Sequence, residues 1–426
     1  MDRAATLPKV VIIGGGFGGL YAALSLRRAP VEVTLIDRRN FHLFQPLLYQ
    51  VATGGLSPAN IAAPLRSILK RQPNTRVILG EVTGFNVEGK QVLLGDSAIL
   101  YDTLIVAAGS QHHYFGHDNW AEQAPGLKTV EDATRMRARI LKAFESAEIE
   151  PDPQRVRAWL TFVIVGGGPT GAELAGALAE IAHDTLRRDF RRINPADAQI
   201  LLVEGTGRIL PSFPPKLSLS AQRSLERLGV TVLTDTTVAD VGPELVRLKS
   251  AQGEKEVSVR TILWAAGVQA SPLGLQLARA TGAETDRGGR VMVRPDLTLA
   301  NHPEIFVIGD LGHGVGRDGQ PLPGVAQVGI QQGRYAAQLI SARLRGRTLA
   351  PFQYRNLGNM ATIGRASAVA DFGWLRLSGY PAWLLWLFIH ILWLVEFDNR
   401  LLVMLQWSWN YLTRNRAARL ITNSKN

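Results

Sequence analysis

The sequence contains no cysteine among its 426 residues. That absence excludes disulfides, thiolate zinc or iron–sulfur ligation, and any thiol that attacks a substrate or carries electrons. It also makes a reducing compartment such as the cytoplasm unsurprising. Charged residues are few, at 19%, yet apolar residues reach 46%, so disorder is excluded as the main state. The apolar run at residues 380–395 is 16 residues long and broken by His390, short of the ~20 that span a bilayer as a helix. No apolar stretch precedes the first glycine cluster in the manner of a signal peptide, so none is expected. No EF-hand loop is visible, and calcium control is not expected. Acidic residues are missing beyond Asp398, whereas Arg400, Arg414, Arg416, Arg419 and Lys425 are basic.

The length exceeds one ordinary core and points to two or three domains. Glycine is abundant, 42 residues without a collagen-like period, so the excess belongs at special backbone sites. The net charge of +11 suits nucleic acid, anionic lipid or anionic cofactors, and only its distribution separates them.

Residues 9–13 (KVVII) form a short continuous apolar run, the pattern of a parallel strand buried on both faces. A glycine cluster, a helical segment at 20–28 and a second strand at 31–36 complete a βαβ opening. The same order returns with a strand at 161–165, a turn at 166–171, a helix to about 186 and a strand at 200–203. TLIVAAGS (103–110) is echoed by TILWAAGV (261–268). Three landmarks repeated in one order imply a duplicated dinucleotide-binding domain. A further strand at 305–308 ends in Gly309 and Asp310, so the first domain is expected to close with chain that returns after an inserted second domain. The resulting expectation is an α/β chain with two Rossmann-like domains: residues 1–115 with 291–350, then 116–290, followed by a C-terminal region at 351–426. That last region holds six of the nine tryptophans: Trp374, Trp383, Trp386, Trp393, Trp407 and Trp409. Aromatic faces flanked by cations describe a pair of amphipathic helices lying in a membrane interface.

The turn Gly14-x-Gly16-x-x-Gly19 follows a strand and opens a helix. Its first glycine permits the tight turn, the second admits a pyrophosphate, and the third allows close helix–strand packing. The pyrophosphate would then meet N–H groups at the helix N-terminus. Asp37, ending the next strand, is placed to accept hydrogen bonds from a ribose. Gly166-x-Gly168-x-x-Gly171 makes the same case for a second dinucleotide. Its acid, Glu204, comes 33 residues after Gly171, beyond the usual ~20, so a longer helix and connection intervene. Glu204 favours an adenosine 2′-hydroxyl over a 2′-phosphate, hence NADH over NADPH, while Arg208 works against that preference. Two such sites in one chain imply electron transfer between a tightly held flavin nucleotide and a nicotinamide that comes and goes. Without cysteine, disulfide reduction, cysteine-dependent peroxidation and sulfide oxidation through a persulfide are excluded.

These residues resemble a known family. GGGFGG, NFHLFQPLLYQVATG (40–54), GGGPTGAELAG (166–176), FVIGD (306–310), AQVGIQQG (326–333) and the tail LLVMLQWSWNYLTRNRAARLI are similar to type II NADH dehydrogenases, the single-subunit NADH:quinone oxidoreductases. The likeness covers nearly the whole chain, and its most specific parts are the AQxxxQQ segment and the aromatic tail. It implies a glutathione-reductase-like plan and non-covalent FAD held by Gly14, Gly16, Phe17, Gly18, Gly19, Asp37, Arg38, Ala108, Gly109, Asp310, Ala326 and Gln327. It implies an NADH site at Gly166, Gly168, Pro169, Thr170, Gly171, Glu173, Glu204, Ala266 and Gly267. The resemblance places Glu173 between nicotinamide, flavin and quinone, and Gln327 and Gln331 on the helix face bordering the quinone. NADH would deliver a hydride to flavin N5, and two electrons would pass to the quinone without proton pumping. The family further implies a homodimer on the cytoplasmic face of the membrane, held through residues 374–420.

Plainer readings stand beside these. An acid in the first turn of a helix favours the macrodipole with no further role, which would suffice for Glu173. The amides of Gln327 and Gln331 would equally serve to satisfy neighbouring backbone. His112, His113 and His117 fit no metal-ligand spacing, so no metal is expected. Glu396 and Asp398 interrupt the tail and are expected to join its helices away from headgroups. The tail itself suits a dimer interface as well as a lipid anchor. Two rival functions remain: a flavin reductase serving a small iron–sulfur protein, which leaves the tail unexplained, and a nucleic-acid-binding flavoprotein. The basic residues are spread along the chain and interleaved with tryptophan in the tail, which argues against nucleic acid.

Overall fold

The structure, a computed structural model, describes residues 7–394, 397–413, 416 and 418–421. The chain forms two compact units, each assembled from three separate segments.

The first unit comprises residues 1–43, 62–111 and 268–357. Its centre is a parallel five-stranded sheet in the order Ile305–Val307, Thr103–Val106, Lys9–Ile13, Glu32–Asp37, Thr75–Leu79. Val10, Val11, Ile12 and Ile13 are all buried because a parallel sheet is covered on both faces. Helix Phe17–Ser25 follows the first strand, and helix Ala326–Arg343 packs against it through glycine. A β-carbon on Gly333 would lie 2.2 Å from the carbonyl oxygen of Gly18, and one on Gly329 would lie 3.4 Å from its nitrogen. The two backbones therefore approach as only glycine permits. The returning strand at 305–307 pairs with Thr103–Val106, in keeping with a first domain completed late in the chain.

The second unit comprises residues 44–61, 112–267 and 358–426. Its parallel sheet runs Val230–Leu233, Gln199–Val203, Thr161–Val165, Thr261–Trp264. The strand Thr161–Val165 is buried along its whole length. Helix Pro169–Glu180 ends sooner than the sequence suggests, passing into a π-type turn over Ile181–Thr185. Strands Asn359–Gly364, Ser367–Asp371 and Arg376–Gly379 make an antiparallel sheet against that helix. The contact is again at glycine, since a β-carbon on Gly176 would sit 1.7 Å from the carbonyl oxygen of Ile363. Two tail helices follow, Tyr380–Trp393 and Phe397–Thr413.

These units differ from the expected boundaries. The first unit resumes at 268 instead of 291, because strand Val268–Ala270 pairs with Ser110–His112 and helix Pro272–Thr281 packs into the core around Leu277 and Val291. Residues 44–61 and the C-terminal region both belong to the second unit and do not stand apart. Among the described residues, no helix is long and apolar enough to cross a membrane. Glu396 lies outside the described residues, as does the side chain of Asp398.

Candidate functional site

Each unit carries a glycine turn, and the two are built alike. Gly14 has φ +99° and Gly166 has φ +105°, a region that L side chains rarely adopt. Each first glycine donates its N–H to the neighbouring strand at 2.8 Å, Gly14 to Ile36 and Gly166 to Val203. A β-carbon on Gly19 would lie 1.9 Å from the oxygen of Gly14, and one on Gly171 would lie 1.8 Å from that of Gly166. Nothing but glycine fits at the third position. The second glycines differ in kind, because a β-carbon on Gly16 or Gly168 would meet nothing within 4 Å. Both also cap their helices without a side-chain hydrogen bond. The second glycines thus leave open space before the positive end of each helix, the setting that binds a phosphate. The residues present fit a dinucleotide in each unit.

The paired acids hold these turns in shape. Asp37 accepts from the N–H of Gly15 at 2.5 Å and of Arg39 at 2.7 Å, while Arg38 is exposed beside it. Glu204 accepts from Gly167 at 2.7 Å and, through its other oxygen, from the N–H and hydroxyl of Thr206 at 2.8 Å. Ala108 and Gly109 (φ +67°) follow the strand beside Gly14, and Ala266 and Gly267 (φ +74°) follow the equivalent strand beside Gly166. In the first unit Asp310 faces a cavity of about 460 Å³, also lined by Ser110, Gly309, Gly324 and Val328. Its carboxylate accepts from the Ser110 hydroxyl at 2.6 Å, and the Gly309 N–H is held by Gln332 at 2.6 Å.

Helix Ala326–Arg343 begins at Ala326 and places Gln327 and Gln331 one turn apart, with both amides engaged by backbone. Gln327 accepts from the Leu357 N–H at 3.1 Å and the Tyr354 hydroxyl at 3.4 Å. Gln331 pairs with Arg355 in both directions, at 2.9 and 3.0 Å.

Glu173 lies in the second unit, on the fifth residue of helix Pro169–Glu180. It is therefore past the first turn, and the macrodipole does not account for it. Its carboxyl faces a cleft of about 140 Å³ lined by Tyr49, Gln50, Thr362, Trp383, Trp386 and Arg416. Burial raises its pKa to about 8, and one long hydrogen bond from the Thr362 N–H, at 3.4 Å, opposes this only weakly. At neutral pH Glu173 is a neutral acid and a proton donor.

The sequence did not point to Tyr49 and Gln50 as individual site residues. Tyr49 is buried on helix Leu48–Ala52, and burial with Glu173 nearby pushes its hydroxyl pKa well above the usual value. The Trp407 indole N–H donates to Gln50 at 2.7 Å, and the Gln50 amide N–H donates to the Tyr49 hydroxyl at 3.0 Å. An indole N–H can only donate, so the amide orientation is fixed and Tyr49 accepts there. Its own proton has no acceptor among the described residues. Arg416 was noted in the sequence only as part of a cationic flank. It binds Thr53 at 2.9 Å and Glu180 at 2.7 Å, fastening the tail beside the same cleft. The sequence signals for Tyr49 and Gln50 were their place in the NFHLFQPLLYQVATG segment and two polar groups within the apolar LLYQVA stretch.

The histidines are engaged elsewhere. His112 meets Asp132 at 3.1 Å and His117 stacks on Trp120. Among the described residues no cluster of histidine and carboxylate suits a metal.

Comparison with known proteins follows this division. Residues 8–333 match the model of the pyridine nucleotide-disulphide oxidoreductase family, and residues 356–415 match the NDH2 C-terminal domain. The chain is 46% identical over 425 residues to the type II NADH:quinone oxidoreductase NdhA of Mycobacterium tuberculosis, covering 97% of this chain and 89% of that one. It is 32% identical to the demethylphylloquinone reductase NdbB of Synechocystis, covering 94% and 95%. In fold it matches NDH2 from Plasmodium falciparum in complex with NADH, at a TM-score of 0.88 and 20% identity, covering 98% of this chain and 100% of that one. With two equivalent nucleotide turns, no cysteine, a matching C-terminal domain and relatives alike over almost their full length, the chain belongs to the family of type II NADH:quinone oxidoreductases.

Proposed function

We propose that this protein oxidises NADH and reduces a membrane quinone, with FAD bound in the first unit. The observation that carries the reading is the pair of equivalent glycine turns in a chain without a redox thiol. When bound, FAD supplies the two-electron relay between the two substrates. The chain's residues supply position and electrostatics. Gly14, Gly16 and Gly19 admit the FAD pyrophosphate, Asp37 and Arg38 border its ribose, and Ser110, Ala108, Gly109 and Asp310 line the approach of the rest of the cofactor.

Gly166, Gly168 and Gly171 admit NADH, whose adenosine ribose meets Glu204. The neutral carboxyl of Glu173 and the undirected hydroxyl of Tyr49 are hydrogen-bond donors suited to a quinone carbonyl among tryptophans. In the first unit Gln327 and Gln331 hold the backbone of residues 355–357, and a quinone-lining role for them rests on the family resemblance alone.

The tail supports membrane association. Tyr380, Leu384, Phe388 and Leu392 recur every fourth residue and are exposed, as are Leu401, Leu405 and Trp409 on the second tail helix. A stripe of that kind, on helices too short to span, suits the interfacial layer of a bilayer. A peripheral location at the cytoplasmic face and a homodimer complete the reading. It is tested by turnover of the FAD-loaded protein with a quinone as sole acceptor. One quinol per NADH is expected; turnover with a small iron–sulfur protein but not with quinone would contradict it.

A further inference from the structure

Between Gly171 and Glu204 the chain takes a detour that nucleotide binding does not require. Helix Pro169–Glu180 unwinds through the turn Ile181–Thr185 into residues 187–192, RRDFRR, before strand Gln199–Val203 begins. Arg187, Arg188, Arg191 and Arg192 are all exposed.

The backbone presenting them is fixed from beneath. The Glu148 carboxylate accepts from the N–H groups of Arg191, Arg192 and Ile193 at 3.0–3.1 Å, and Phe190 packs on Phe144. The loop is thus pinned to the body of the unit through residues 190–193.

It is also joined to the tail. Asp189 pairs with Arg419, next to the exposed Leu420 and Ile421, and Glu180 pairs with Arg416 at 2.7 Å. Four arginines and the apolar end of the tail therefore belong to one continuous surface.

We propose that residues 187–192 bind the headgroups of anionic lipids, working beside the apolar tail; this rests on the membrane association argued above. Charge complementarity selects anions, and continuity with Leu420 and Ile421 selects a lipid surface over an acidic protein, which would leave those apolar residues in water. The loop then gives lipid selectivity, while the tail helices give the apolar insertion common to any bilayer.

The test uses the full-length, FAD-loaded protein and sedimentation with vesicles of phosphatidylcholine alone or mixed with phosphatidylglycerol. The variant carries Arg187→Gln, Arg188→Gln, Arg191→Gln and Arg192→Gln. Its contacts with Glu148 run through backbone N–H groups and survive the change, whereas the bonds from the Arg191 guanidinium to the carbonyls of Arg188, at 2.8 Å, and Phe190, at 3.3 Å, are lost. A control with equal charge loss carries Arg27→Gln, Arg28→Gln, Arg71→Gln and Arg345→Gln, all exposed positions of the first unit.

The loop variant should lose on the order of a hundredfold in partitioning to the anionic vesicles and nothing on phosphatidylcholine, with the control close to wild type. An unchanged preference in the loop variant, or an equal loss in the control, would overturn the proposal while leaving membrane association intact. Failure of the wild type to bind either vesicle would overturn the membrane reading itself, and the proposal with it.

Discussion

The two nucleotide turns are nearly superimposable in their logic and differ in what surrounds them. Gly14 to Asp37 and Gly166 to Glu204 use the same positive φ, the same strand hydrogen bond, the same impossible β-carbon at the third glycine and the same open second glycine. In the first unit the acid closes on its turn across 22 residues; in the second it takes 37. The longer path carries Glu173, the pairing site for the tail at Glu180, and the arginine loop. Steric rules fix the phosphate cradle in both units, and the connection afterwards is where a duplicated domain gains separate work. On the proposed reading the first half holds its nucleotide, and it completes its sheet with a returning strand. The second, proposed to receive a substrate, builds a cleft from chain that the first half does not have.

The comparison breaks most sharply at the third glycines. Gly19→Ala should abolish flavin retention, read as loss of the visible absorbance of the purified protein. Gly171→Ala should leave bound flavin intact and lower its reduction by NADH by about a hundredfold or more, because the carbonyl 1.8 Å from the new carbon must move. Equal damage to both nucleotides from either change would erase the distinction between the halves. Glu204→Gln keeps an oxygen for the Gly167 N–H while removing the charge, so the NADPH-to-NADH ratio of kcat/KM should rise by about tenfold or more.

Smaller effects belong to the cleft. Tyr49→Phe should slow the quinone half-reaction by about five- to tenfold and leave the NADH half-reaction unchanged in stopped-flow traces. Trp407→Phe, which frees the Gln50 amide to turn, should reproduce part of that loss. Glu173 supplies the finest test. Its folded pKa, about 8, lies above the ordinary value of 4.5, so its contribution to stability is fully present below 4.5, falls steadily as pH rises from there, and is lost by about pH 8. Glu173→Gln should therefore raise Tm by an amount that grows between about pH 5 and pH 8 and levels off above that, with the smallest change below about pH 5.

Much of this was legible in the sequence. The strands at 9–13 and 161–165, both turns and both acids follow from apolar runs and glycine spacing, because sterics at positive φ act locally. What was hidden depends on chain brought together from afar. Tyr49 gains meaning only when Trp407, more than 350 residues later, orients Gln50. Gly329 and Gly333 read as part of a glutamine motif, yet their role is close helix packing against Gly18. The first unit resumes at 268 and not at 291 because a short strand, Val268–Ala270, pairs with Ser110–His112, which local sequence does not announce. Glu173 looked like a first-turn acid until Pro169 was seen to start its helix four residues earlier.

The central claim is that one chain couples two nucleotide sites to a quinone without a thiol. The most direct measurement is the absorbance spectrum of the purified, FAD-loaded protein, followed anaerobically as NADH and then a soluble quinone are added. The account predicts flavin bands that bleach with NADH and return in full with quinone. Bands that bleach and stay bleached in the presence of quinone would contradict it.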